Sequence, residues 1–280
     1  MELIIVVIAA MGGGIFASII GGTNAFIFTG LTGLAGIIMQ MSGGGEAFLT
    51  DIAGGPFFGP HVAFNSGVVA LALLKRIKSN DKEGEVIDGT NTFLPLYKYK
   101  EILPIVAAGV TGGLGYLVNL FFGKLELNFD TVAFTIVIFN IATRLIIGKT
   151  GLVPKLPSDK ERYEEVNKNF LFSVIWGVGL SAVVAYITLL TKNNLIGFYI
   201  SAVSLVLLSL GKDIPATHHI SLVTGYAALK FGNIYLAILF GILATIFGEY
   251  FNVTVNTEAD TLIDMPSAVI ALLSFVIFSF

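Results

Sequence analysis

The sequence predicts an all-α polytopic integral membrane protein with about ten transmembrane segments, arranged as two five-segment repeats. Three observations predict it. Of the 280 residues 55% are apolar and only 12% are charged, against about 25% charged in soluble domains, so the excess apolar surface needs a bilayer. Charge-free runs recur at the length that crosses hydrocarbon, about 17 to 25 residues. Two Pro- and Gly-bearing stretches, Asp51 to Leu71 and Lys212 to Leu229, repeat one pattern and hold all three histidines.

In chain order, Leu3 to Ile20 is the first span; it lacks a preceding Lys or Arg and is too long for a signal-peptide core. Gly12, Gly13 and Gly14 in its middle suit close helix packing. The second span runs from Ala25 to Met41, followed by a Gly-rich connection to Gly55. The third segment is interrupted by Pro56 and Pro60 and ends at Lys75-Arg76. Lys75 to Glu101 mixes both charge signs and reads as solvated. Leu103 to Phe122 is the fourth span, with Pro104 tolerated in its first turn. Thr131 to Ile147 is the fifth, capped by Asp130 and closed by Arg144, whose long side chain suits snorkelling to the interface.

Residues 1–148 thus form the first repeat, 149–168 a charged cytoplasmic linker, and 169–280 the second repeat. The second repeat offers Phe170 to Leu190, Leu195 to Leu210, a short segment after His219, Ile234 to about Phe251, and Pro266 to Phe280. The halves align in order on uncommon residues: Asn24 with Asn194, Asp51 with Asp213, His61 with His219, Gly67 with Gly225, Asn119 with Asn252, and Asp130 with Asp264.

Thirteen of the 16 Lys and Arg fall in odd-numbered connections, which makes that side cytoplasmic and the location the cell membrane. Five crossings per repeat is odd, so the repeats would be inverted, as in many transporters. The run from Ile220 to Leu229 reaches only about 15 Å against a core of about 30 Å. The third segments are therefore either broken crossings, the preferred form, or re-entrant, which would make the repeats parallel.

Broken backbone at membrane depth is tolerated only where protein buries it or a watery cavity meets it. The helix starts after each break would turn free N–H groups toward such a cavity. The expected substrate-binding residues are His61, His218, His219, Asn65, Ser66, Ser221, Thr224, Asn24 and Asn194, with Asp51 and Asp213 for ion coupling. Buried carbonyl-bonding histidines and helix-capping Asn or Asp are the structural alternatives. No cofactor is expected. Asp and His would suit a transition ion by type, but no His pair has the i, i+4 spacing of a zinc motif.

With no cysteine, thiol chemistry and disulfides are absent. No phosphate-binding Gly-Lys motif, hydrolase elbow or nucleic-acid-type basic patch occurs. The expected function is a transporter or channel for a small polar or anionic solute. A membrane-embedded hydrolase acting on a lipid-linked substrate and a membrane subunit of a multi-component transporter are the alternatives. The expected partners are the lipid bilayer, a small solute or ion, and a second copy of the chain.

Overall fold

The computed structural model describes residues 2–79 and 86–280, and among them it is helical with no strand. Eleven α-helices follow one another: α1 (Leu3–Ile20), α2 (Gly22–Met41), α3 (Ala63–Lys78), α4 (Ile102–Lys124), α5 (Thr131–Ile146), α6 (Glu164–Thr191), α7 (Ile196–Ser204), α8 (Val206–Ser209), α9 (His218–Phe231), α10 (Ile234–Asn256) and α11 (Met265–Phe278). Five of them, α1, α2, α4, α6 and α10, are long and apolar enough to cross a membrane. Their surfaces suit lipid. On α4 the large side chains Ile102, Val106, Val110 and Leu114 point outward at helical spacing, while the inner face is small: Ala108, Gly109, Gly112 and Gly115. This reverses a soluble helix and lets backbones approach closely.

The small residues set the packing. A Cβ on Gly14 would meet the Ala108 carbonyl of α4, and one on Gly112 would meet the Ala10 carbonyl of α1. In α6 and α10 the same role falls to Gly177, lying against Thr245, and Gly241, lying against Ser181. Each pair runs antiparallel, because rising residue numbers on one helix meet falling numbers on the other. Gly115 rests against the His61 carbonyl at the start of α3, and Gly248 lies against the His219 ring at the start of α9.

Between α2 and α3 the chain makes a π-helical turn, Phe48–Ala53, and then a compact irregular passage to Val62. That passage satisfies its own backbone: Phe58 N–H bonds Ile52 O at 3.0 Å, Gly59 N–H bonds Gly55 O at 2.9 Å, and Phe58 O accepts from Thr29 Oγ1 at 2.6 Å. It packs on the middle of α1, where Gly13 faces Pro56 and Phe57. The corresponding passage before α9 carries Pro215 and has no regular structure from 212 to 217.

Asp130 and Asp264 cap α5 and α11 alike, accepting from Ala133 N–H at 2.8 Å and Ser267 N–H at 2.9 Å. The two helices cross antiparallel with reciprocal contacts. Asp130 N–H donates to Ser274 Oγ at 2.8 Å, and Asp264 N–H donates to Asn140 Oδ1 at 3.0 Å. Helices α2 and α7 also meet, Gly30 and Gly33 lying against Tyr199 and Val203.

Two expectations are corrected here. Residues 86–101 are not simply solvated. Ile87 and Leu96 are buried, and Thr92 joins the start of α2 through Thr23 Oγ1 at 2.6 Å. Arg144 does not snorkel: it is fully buried and bonds the 255–261 segment and Gly151. Interior acceptors outcompete the interface because its fork finds a partner for every N–H.

Asp260 fastens the same region, accepting from Thr150 Oγ1 at 2.7 Å and from Lys149 N–H. Burial alone would raise its pKa, but these bonds and the Lys75 and Arg144 charges outweigh burial and hold it below the ordinary 3.8. A depressed carboxyl contributes stability above its unfolded pKa and loses it as pH falls through the folded value. Thermal unfolding of the wild type and Asp260→Asn in detergent should therefore show a constant gap above pH 3.8 that narrows below it. A gap unchanged down to about pH 2 would remove the carboxylate's role.

Candidate functional site

A cavity of 540 Å³ lies between α2, α5, α7, α9, α10 and α11 and is also reached by Thr90, Thr92 and Phe93 of the 86–101 segment. That volume is within the usual range of small-molecule pockets, about 300 to 1,000 Å³. Most of the wall is apolar, with Phe26, Phe93, Trp176, Phe198, Tyr199 and Tyr226 supplying rings. Asp130, Glu249 and Asp264 are its carboxylates, and among the described residues no Lys or Arg lines it.

His218 and His219 both line this cavity, from the first turn of α9. His218 sits with its ring 4.8 Å from that of Phe26 and 6.1 Å from that of Phe198. Both side chains are more than nine-tenths buried, and neither Nδ1 has a hydrogen-bond partner. The start of α9 is also open. Thr217 supplies no side-chain cap, the first bonded amide is Ser221 N–H to Thr217 O at 3.1 Å, and among the described residues the N–H groups of His218, His219 and Ile220 have no acceptor. Free N–H groups and the positive end of a helix favour an acceptor or an anionic group.

The start of α3 differs. Gly59 O takes Ala63 N–H at 2.9 Å, Pro60 O takes Asn65 N–H at 3.1 Å, and Val62 O takes Ser66 N–H at 3.1 Å, so among the described residues the first turn of α3 leaves only Phe64 N–H without an acceptor, against three at α9. His61 is buried with both ring nitrogens unpartnered, but its ring lies 6.3 Å from that of Tyr116 on α4 and it does not line the cavity. Its neighbours Pro60 and Phe64 do.

The remaining expected residues lie elsewhere. Asn65 accepts from Asn140 Nδ2 at 3.1 Å, tying α3 to α5. Ser66 donates to Val62 O at 2.6 Å, Ser221 pairs with Ser201 at 2.6 Å, and Thr224 lies against Gly241 with its Oγ1 unpartnered. On α9 the cavity face is 218, 219, 222 and 226. At about 100° per residue, Ser221 and Thr224 are rotated onto α7 and α10. Asn24 holds the 86–101 segment, donating to Ile20 O at 2.7 Å and Phe93 O at 3.1 Å. Asn194 supplies the backbone on which Gly225 rests. Asp51 and Asp213 are exposed and do not line the cavity. Among the described residues no three of His, Asp and Glu converge as a metal set.

Sequence reasoning missed the carboxylates. Asp264 and Glu249, absent from the expected site residues, line the cavity, with Asp264 only 7% exposed and Glu249 accepting from Ser173 Oγ at 2.6 Å. Asp130 accepts from Tyr226 Oη at 2.6 Å. A signal was present, since Asp130 and Asp264 align as matched residues of the two halves.

Among known protein families, the model of a family of unknown function, DUF7973, matches residues 1–160 and 161–279. No curated protein and no solved structure matches the chain.

Proposed function

This chain belongs to the DUF7973 family, and from its geometry we propose that it is a membrane transporter or channel for a small polar solute, with the pathway between two inverted repeats of residues 1–148 and 169–280. The cavity carries this reading, since both halves wall it and helix starts from both approach it. The duplication is supported by matched contacts: Gly14 with Ala108 answers Ser181 with Gly241, and Ala10 with Gly112 answers Gly177 with Thr245. The family match divides near residue 160, inside the linker. Inversion is supported by the antiparallel α5 and α11, whose Asp130–Ser274 and Asp264–Asn140 bonds are reciprocal about a two-fold axis. Parallel repeats would run these helices the same way.

Ten residues of α5 separate the two reciprocal bonds, so Asp130 and Asp264 stand about 15 Å apart along the helix axes. A cavity touching both therefore extends over about half the hydrocarbon thickness. The third segments cross as irregular legs followed by α3 and α9. The shorter helices are then crossings too, ten in all, with the basic loops in the cytoplasm of the cell membrane and the N-terminus outside. A protease-accessible tag on the N-terminus in intact cells checks the orientation.

Proteoliposome flux tests the function. Ala216, in the leg before α9, is half-buried and lines the cavity. Ala216→Trp should reduce solute flux to the level of empty liposomes without loss of the folded protein by size-exclusion chromatography. Undiminished flux in that variant would place the pathway elsewhere.

A further inference from the structure

Resting on the transporter reading, we infer that the cavity takes a zwitterion with an apolar body, the chemistry of an α-amino acid with a hydrophobic side chain. Three features of the wall converge on that class. At the start of α9, three N–H groups without acceptors stand beside the unpartnered Nδ1 atoms of His218 and His219, both buried and both lining the cavity. That end suits a carboxylate, whose two oxygens accept several donors at once.

The opposite charge is matched nearby. His219 Nε2 and Met265 Sδ both lie against Gly248, which places the start of α9 beside Glu249 on α10 and Asp264 at the head of α11. Glu249 keeps one oxygen on Ser173, leaving acceptor capacity for an ammonium group. No Lys or Arg faces these acids from the wall among the described residues, so an anion without a compensating positive charge meets three carboxylates. A plain cation meets the open end of α9 and finds nothing for those amides to bind. Between them, Phe26, Trp176 and Phe198 offer an apolar surface that a wholly polar solute would leave unused.

Calorimetry on the purified full chain, titrated with L-leucine, L-methionine and L-phenylalanine, tests the inference against the half-molecules phenethylamine and 3-phenylpropionate. At least one amino acid should bind, with both half-molecules about tenfold weaker than phenylalanine or worse. Glu249→Gln should weaken the amino acid by about tenfold and leave 3-phenylpropionate unweakened or tighter, because Gln retains the Ser173 bond while one charge that repels the lone carboxylate is gone. The half-molecule comparison on the unaltered protein stands even where that variant does not fold. Absence of binding by all three amino acids, or either half-molecule binding as tightly as phenylalanine, overturns the zwitterion assignment. Amino-acid binding without flux in proteoliposomes sinks the transporter reading alone, and flux of an uncharged solute without amino-acid binding sinks this assignment alone.

Discussion

Replacing Arg144 with Ala should lower the unfolding free energy by about 3 kcal/mol or more, the largest loss expected of any single substitution in the chain. The guanidinium is fully buried and distributes its donors without remainder. Nε donates to Thr261 Oγ1 at 2.7 Å, Nη1 to Gly151 O at 3.2 Å and Val255 O at 2.9 Å, and Nη2 to Asn256 Oδ1 at 3.3 Å and to Thr261 O. Truncation leaves Thr261 Oγ1, Thr261 O and Val255 O buried without this donor, at about 1 to 3 kcal/mol each where water cannot reach them. Asn256 Oδ1 keeps Ile263 N–H at 3.0 Å, and Gly151 is exposed. Arg144→Lys should recover only part of the loss, because an ammonium has three donors and no planar fork. Because Asn256 also lines the cavity, the damage should extend to flux. Thermal unfolding of detergent-solubilised protein measures the loss, and a melting temperature for Arg144→Ala within about 2 °C of wild type would contradict the hub assigned to it.

The second large effect is expected from Gly115→Leu, at about 3 kcal/mol, the upper end of the overpacking range. The obstructing atom is the His61 carbonyl oxygen, part of the main chain at the start of α3, and it cannot rotate aside. Gly12→Leu is the control, since nothing lies within 4 Å of a Cβ there. It should be neutral or gain up to about 1 kcal/mol from helix propensity. Gly248→Ala should be milder than any large residue at 115, because its obstruction is the His219 ring edge at 2.7 Å and the flexible end of Met265 at 3.0 Å. Equal melting temperatures for Gly115→Leu and Gly12→Leu would show that α4 and α3 do not rely on that contact.

Much of the helix plan could be read from the chain. The apolar run Leu3 to Ile20 is the residue range of α1, and Asp130 and Asp264 cap where the following apolar runs begin. Long apolar runs and capping residues act locally, so their positions survive any tertiary arrangement. The break before His61 was legible because Pro and Gly act on the backbone that carries them. The burial of the 86–101 segment is not legible locally, because its buried residues, Ile87 and Leu96, are scattered among charges. Local composition does not reveal what a neighbouring loop covers.

The candidate site divides in the same way. His218 and His219 could be named beforehand, since the three histidines are conspicuous in an apolar chain and each follows a break. Ser221 and Thr224 share their helix and still miss the cavity, because a rotation of about 100° per residue directs them to α7 and α10. Glu249 and Asp264 carry no local mark of a site, and only the convergence of α9, α10 and α11 gives them a cavity to line.

By itself the sequence determined the membrane character, the approximate positions of the apolar helices and the two places where the backbone breaks. These follow from apolar run length and from residues that restrict or free their own dihedral angles. Tertiary structure alone decided which side of each helix meets the cavity, that Arg144 is an interior hub, and that His61 stands behind the wall that His218 and His219 help to form. Those outcomes depend on which distant helix supplies a glycine, a carbonyl or a hydroxyl at the point of contact, and no stretch of chain carries that information for its neighbours.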